Sequence, residues 1–253
     1  MKSMLRQVNG YSAAGTIFAM LIVLMISMIG CVTMPVESDY SPRLSTRTVS
    51  VEQQIQSLGI EAPILVLDYL DTRAVQAKAD AKPDDNYLST EAALYKDDPH
   101  HVWTQKFYKY RLASKTLAQY LSDALFFDMQ RMRLPVTRPS EETRAFSGAF
   151  EGKNYDQRFV LGLEVLRFRP GYKPLLVNVT PFYMYTVRVR LWDSDAEQVV
   201  LDENIDKKIE DLPVPGITFA DMIDKLMNDH LAEVNLVIIE KIAVSLSKRD
   251  LTQ

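Results

Sequence analysis

Three histidines and one cysteine are the residues of this 253-residue sequence with the widest choice of chemistry. His100 and His101 stand side by side after Asp97-Asp98-Pro99. Adjacent side chains point to opposite faces of a strand and lie about 100° apart around a helix, so one metal ion cannot easily take both. The sequence therefore predicts a solvated loop for this pair. His230 lies beside an apolar stripe and reads as a core-edge residue with a satisfied nitrogen. The sequence holds no Gly-x-Ser-x-Gly, no phosphate-cradling glycine loop, no His-Glu-x-x-His and no Gly-x-Gly-x-x-Gly. No catalytic residue, metal ligand or cofactor site is predicted, and the expectation is a protein that is not an enzyme.

Cys31 is different, because its thiol has a reaction written into its surroundings. It ends the apolar run from Thr16 to Gly30, which follows Lys2 and Arg6 with no acid before it. A cationic start, an apolar centre and a small residue at the cut make an export signal. Gly30-Cys31 at its end resembles a lipobox, where the cysteine is diacylated and the signal is removed. Met28 and Ile29 precede them. Two alternatives stay open: an uncleaved anchor, since a helix needs about 20 apolar residues to span a bilayer, and an ordinary buried cysteine. Acylated or anchored, the chain after Cys31 faces away from the cytoplasm, attached to a membrane. Acylation would also leave no free cysteine for a disulfide, so the core alone must hold the fold. The expected organisation is a signal at 1–30, a lipidated start and flexible tether at 31–48, and one domain at 49–253.

Composition is that of an ordinary globular chain, with 47% apolar and 25% charged residues and a net charge of −4. Signal removal takes two cations away and makes the remainder more acidic. A mildly acidic chain without a basic face does not neutralise phosphates, so nucleic acid is excluded as a partner. The Pro- and Ser-containing stretch from Val32 to Thr46 buries too little apolar surface to order itself, which suits a tether; a peptide laid along the domain is the other reading.

The elements that follow are read from periodicity. A short helix runs from Val51 to Leu58, closed by Gly59, and the continuous apolar Ile64–Leu67 is a strand buried on both faces. Residues 71–99 form a long polar excursion with turns at Lys82–Asn86 and Lys96–Pro99 and a short helix near Thr90–Tyr95. A helix is expected over Gln105–Met132, stopped by Pro135, then a short strand at Val136. Phe159–Phe168 is a strand ended by a turn at Arg169-Pro-Gly171. In Pro181–Trp192, Val187, Val189 and Leu191 alternate with Thr186, Arg188 and Arg190, giving a strand with one wet face. A turn at Asp193–Glu197 leads to its partner, Gln198–Asp206. The last helix is expected from an N-cap at Thr218 to Leu246. The fold class is thus α/β, an α+β sandwich: a mixed sheet of four to five strands with two long helices on one face.

Aromatic residues gather in two places. Trp103, Tyr108 and their neighbours crowd one segment, and Phe182, Tyr183 and Tyr185 another. With Leu175, Leu176 and Val177 between two prolines, they form the expected surface for a partner or a lipid tail, although core packing accounts for most such aromatics.

Cys31 after its signal, the buried strand, the following helix, the strand 159–168, the hairpin with Val189-Arg-Leu-Trp-Asp193 and the closing helix resemble Gram-negative envelope lipoproteins of the ABC-type transport auxiliary class and their YajG-like and penicillin-binding-protein-activator relatives. The resemblance covers about residues 60–246 and implies a small α/β sandwich with no catalytic residues to carry over. The 71–99 stretch is longer than that pattern. The resemblance implies an accessory subunit of an envelope transport complex for lipid or solute, anchored through N-terminal acyl chains. A scaffold or activator of a peptidoglycan synthase is the alternative, and a small hydrolase or metal enzyme the third. Val32 rather than Asp after the cysteine resembles enteric lipoproteins sent to the outer membrane, facing the periplasm. Cells fed a tagged palmitate analogue should incorporate it into this protein. Cys31→Ala should abolish the label and leave the signal attached, as seen by mobility on a gel.

Overall fold

The computed structural model describes residues 32–36, 39–43, 45–80, 86–105, 108–140, 143–150, 155–174, 178–210, 214–215 and 227–250. Five helices lie within these: α1 (Thr46–Ser57), α2 (Arg73–Asp80), α3 (Asn86–Asp97), α4 (Leu117–Arg131) and α5 (Asp229–Asp250). The strands are β1 (Val32–Val36), β2 (Ile64–Val66), β3 (Leu70–Asp71), β4 (His101–Gln105), β5 (Tyr108–Leu112), β6 (Val136–Thr137), β7 (Phe159–Pro174), β8 (Asn178–Asp193), β9 (Gln198–Glu210) and β10 (Val214–Pro215).

The main sheet has the order β10-β8-β7-β2-β6, with β9 also on β8 and β3 on β7. It is mixed: β2 runs parallel to β6 and β7, whereas β7, β8 and β9 are antiparallel. Since β3, β6 and β10 are two-residue stubs, its body is the four strands β2, β7, β8 and β9. This is the expected α+β sandwich.

Alternation decides its faces. Phe159, Leu161, Leu163 and Val165 of β7 and Val187, Val189 and Leu191 of β8 point inward, and α4 and α5 close over them. Val160 and Trp192 point the other way and join Leu65, Leu67, Phe146 and Phe150 in a second small core. The β2 run divides between the two, with Ile64 and Val66 in the first and Leu65 and Leu67 in the second. A strand with both faces covered has no place for polar residues, which is why this run is unbroken. The β8–β9 turn forms as expected. The Asp193 carboxylate accepts N–H bonds from Asp195 and Ala196, and Glu197 takes a positive φ of 50°.

A second, three-stranded sheet has the order β1-β5-β4, and it corrects two expectations. The first part of the helix expected over 105–132 is the strand β5, where Tyr110 and Leu112 are buried while Lys109 and Arg111 alternate with them. The period is two rather than 3.6, and the helix starts only where Thr116 and Gln119 make a capping box. The expected tether supplies β1, laid parallel on β5, and so lies along the domain.

Two more boundaries move. The 71–99 excursion is largely helical, as α2 and α3. The Ala-rich sequence Arg73-Ala-Val-Gln-Ala-Lys-Ala-Asp80 has high helix propensity despite its polarity; of the turn expected at Lys82–Asn86, residues 82–85 lie outside the described residues and Asn86 opens α3. Arg169-Pro-Gly171 does not end a strand, because β7 continues through it with Pro170 opposite Tyr183 and Gly171 opposite Phe182. The Phe182 ring occupies the space a Cβ at Gly171 would need, so glycine here permits close packing rather than a turn. Of the helix expected from Thr218, residues 218–226 lie outside the described residues, and α5 continues to Asp250.

Gly162 presents the same constraint in the second core, where an added Cβ would stand 2.6 Å from the Phe146 ring. Gly162→Ala should therefore destabilise the protein by about 1–3 kcal/mol, the range for overpacked sites, read as a lower urea midpoint.

Candidate functional site

The N-terminal segment is built into the fold by a buried polar cluster. Asp128 of α4 is fully enclosed, and an enclosed carboxylate needs partners for both oxygens. The Tyr40 hydroxyl donates a short bond to Oδ2, and Asn235 of α5, also fully buried, donates through Nδ2 at 2.8 Å to the same oxygen. Arg131 pairs with Oδ1 at 2.9 Å. Burial pushes the Asp128 carboxyl above its ordinary range, against the pull of the Tyr40 and Asn235 bonds and the Arg131 charge. The Tyr40 ring stands edge-on to Tyr120 and Phe127. The Ser41 N–H then donates to Asn228 Oδ1 at 2.8 Å and the Arg43 N–H to Asp229 Oδ1 at 3.3 Å. A capping box between Ser45 and Thr48 starts α1.

Two clefts flank the main sheet. The larger, of about 700 Å³, is lined by Leu65, Thr137, Arg138, Thr143, Tyr155 and Gln157, among others. Arg138 is held there by Asp68 and Asp123, and Arg144 bridges the same two acids. The smaller, of about 320 Å³, lies where α2 and α3 meet β7. Its buried member is Arg73, 1% exposed. The Arg73 guanidinium forks onto Asp71, donates to the carbonyls of His101 and Val102, and lies over the Tyr95 ring at 4.2 Å. Glu91 accepts the Tyr95 hydroxyl at 2.7 Å, and Arg167 pairs with Asp80 at the rim. Each of the arginines 73, 138, 144 and 167 thus already holds a carboxylate. The geometry in these two clefts is that of structural ion pairs.

The sequence-predicted residues divide. His101 is buried rather than solvated, on β4 against Tyr95 and within 3.2 Å of the Thr104 hydroxyl. Its neighbour Val102 is buried as well, because the β4–β5 register shifts between His101 and Trp103 instead of alternating regularly, and His100 precedes the strand. His230 is buried on α5 with its ring 5.9 Å from that of Tyr183. Among the described residues, no group of three His, Cys, Asp or Glu side chains could hold a metal.

The expected partner surface is corrected at Tyr183 and Tyr185. Both are fully buried on the inner side of β8, edge-on to Phe168, because they continue the inward parity of Val187 and Val189. Phe182 has the opposite parity and is partly buried. Trp103 stands opposite Tyr110 on β4, and Tyr108 stands between Gln105 and Val32. The side chains of Trp103 and Tyr108 lie outside the described residues. Leu175, Leu176 and Val177, like Gly30 and Cys31, lie outside the described residues. Sequence reasoning missed Asp128 and Asn235. Their signal was a polar residue on an apolar helical stripe, Asp128 between Leu125 and Met132.

No helix among the described residues is long and apolar enough to cross a membrane, and the Thr16–Gly30 run is not among them. No family model matches the chain, and no curated protein matches it. Among solved structures it is similar to protein XCC0632 from Xanthomonas campestris, described with the family DUF330. Identity there is 10% and the TM-score 0.48, over 88% of this chain and 100% of that one. It is also similar to lipoprotein GNA1162 from Neisseria meningitidis, at 13% identity and a TM-score of 0.23, over 59% of this chain and 84% of that one. Overlaps this loose carry neither family nor activity across.

His101 gives the site a pH signature. Burial, and then the Arg73 charge, lower its pKa from 6.5 to about 4. The stability of the neutral ring is therefore complete above pH 6.5 and lost as pH falls through 4. His101→Gln should flatten this part of the melting-temperature profile between pH 7 and 4, a contribution of roughly 3 kcal/mol at most.

Proposed function

We propose that the protein is a lipid-anchored, non-enzymatic accessory subunit of an envelope transport complex handling lipid or solute. The observation that carries this reading is the continuity between anchor and fold. The apolar signal ends at Cys31, and the next residue, Val32, opens a strand of the domain. Beyond it, Tyr40 and Ser41 are bonded to α4 and to the start of α5. This suits a chain whose task is to hold a rigid docking domain at a membrane. Arginines already committed to carboxylates support a scaffold over a catalyst. Outer-membrane, periplasm-facing placement is part of the proposal and follows from Val32 after the cysteine.

In-cell crosslinking and pull-down of the full chain from detergent-solubilised envelopes tests it, with Cys31→Ala as control. Transporter subunits recovered only with Cys31 intact are the expected result. Recovery of a peptidoglycan synthase instead would replace the transport reading with the wall-synthesis one, and recovery of bulk envelope protein alone would overturn both.

A further inference from the structure

The cleft of about 700 Å³ lies where the second core meets the end of the main sheet. Leu65 of that core lines it, and Thr137 of the last strand, β6, stands in register beside Leu65. Tyr155, on the approach to β7, packs on the same core and lines the same cleft. The hydroxyl oxygens of Thr137 and Tyr155 are both buried, and neither has a hydrogen-bond partner. Folded proteins satisfy almost all their buried polar atoms, because an unpaired one has lost its water for nothing. Two orphaned hydroxyls lining one cleft therefore point to a ligand that supplies the missing bonds.

The rest of the lining says what kind of ligand. Ser140 and Thr143 add hydroxyls 3.1 Å apart, and Gln157 adds an amide. Arg138 is the one cation and Asp156 the one anion among the described lining residues, and Asp68 and Asp123 already hold the Arg138 guanidinium. A phosphate or carboxylate thus meets no uncommitted cation among them. A long acyl chain would leave the hydroxyls and the amide unmatched. The cleft suits an uncharged molecule that is apolar on its faces and hydroxylated around its edge, which describes a sugar ring. Its volume falls in the range of about 300–1,000 Å³ usual for small-molecule sites. We propose that this cleft binds a neutral saccharide, its apolar face on Leu65 and Pro139 and its hydroxyls bonded by Thr137, Tyr155 and Gln157. Such binding belongs to the domain itself and depends neither on membrane attachment nor on the transport reading.

The test presents the detergent-solubilised full chain to an array of neutral oligosaccharides built from glucose, galactose, mannose and N-acetylglucosamine, with sulfated glycans printed beside them. Binding to a neutral glycan is expected, and calorimetric titration with that glycan then gives its affinity. Thr137→Val and Tyr155→Phe should each weaken it about fivefold, the worth of one hydrogen bond. Neither variant should lower the melting temperature, because neither hydroxyl is bonded within the fold. No binding to any neutral glycan, or preference for the sulfated ones, would overturn the proposal. So would glycan binding that both variants leave unchanged, which would place the sugar elsewhere. A lowered melting temperature in either variant would show the hydroxyls to be structural and overturn it as well.

Discussion

Asp128 is the charge around which the chain is fastened. A carboxylate taken wholly out of water costs several kcal/mol unless its oxygens are bonded, and breaking such a cluster from one side typically costs about 3–5 kcal/mol. Its partners come from three separated parts of the sequence. Tyr40 belongs to the segment between β1 and α1, Arg131 to the same helix as Asp128, and Asn235 to the last helix. Satisfying one buried group therefore ties the N-terminal segment to the helix pair that covers the sheet. Apolar contacts could hold these pieces together, but they would not select one register among them. The polar cluster does, because a shift of either outer segment by one residue would take Tyr40 or Asn235 away from Asp128.

The sheet beneath the helices is asymmetric in what it asks of its two faces. The inner face is a continuous apolar layer against α4 and α5. The outer face has a compact patch around Phe146, Phe150 and Trp192 and, beside it, a ladder of ion pairs. Arg190 bonds Glu164 and lies over the rings of Phe146 and Phe150, and Arg188 forks onto Asp202. Guanidinium planes suit this border because they stack on rings on one side and remain wet on the other.

How much of this was legible depended on whether a signal was local. Strict alternation in β8, the unbroken run of β2 and the Asp193 turn specify their own structure, and all three were read correctly. The β5 segment was not, because Tyr108 and Leu112 are four residues apart and fit a helical stripe as well as a pleat. The alternation of Lys109 and Arg111 with Tyr110 and Leu112, and the Thr116–Gln119 capping box, separate the two readings. Tyr183 and Tyr185 looked like surface aromatics when counted with Phe182, but parity along β8 assigns them to the core. The Asp128 cluster was illegible for a different reason. A polar residue in an apolar stripe announces that a partner exists, but Tyr40 is 88 residues away in sequence, and nothing local names it.

Among the described residues β9 pairs only with β8, leaving a thirteen-residue strand with one side of its backbone open. An open strand edge is a template for a second molecule's strand. Asp202, Glu203, Asp206, Lys207 and Lys208 place charge at nearly every step of this edge. An incoming strand would thus have to set its own backbone beside this row of charges, which guards the strand against recruitment into aggregates.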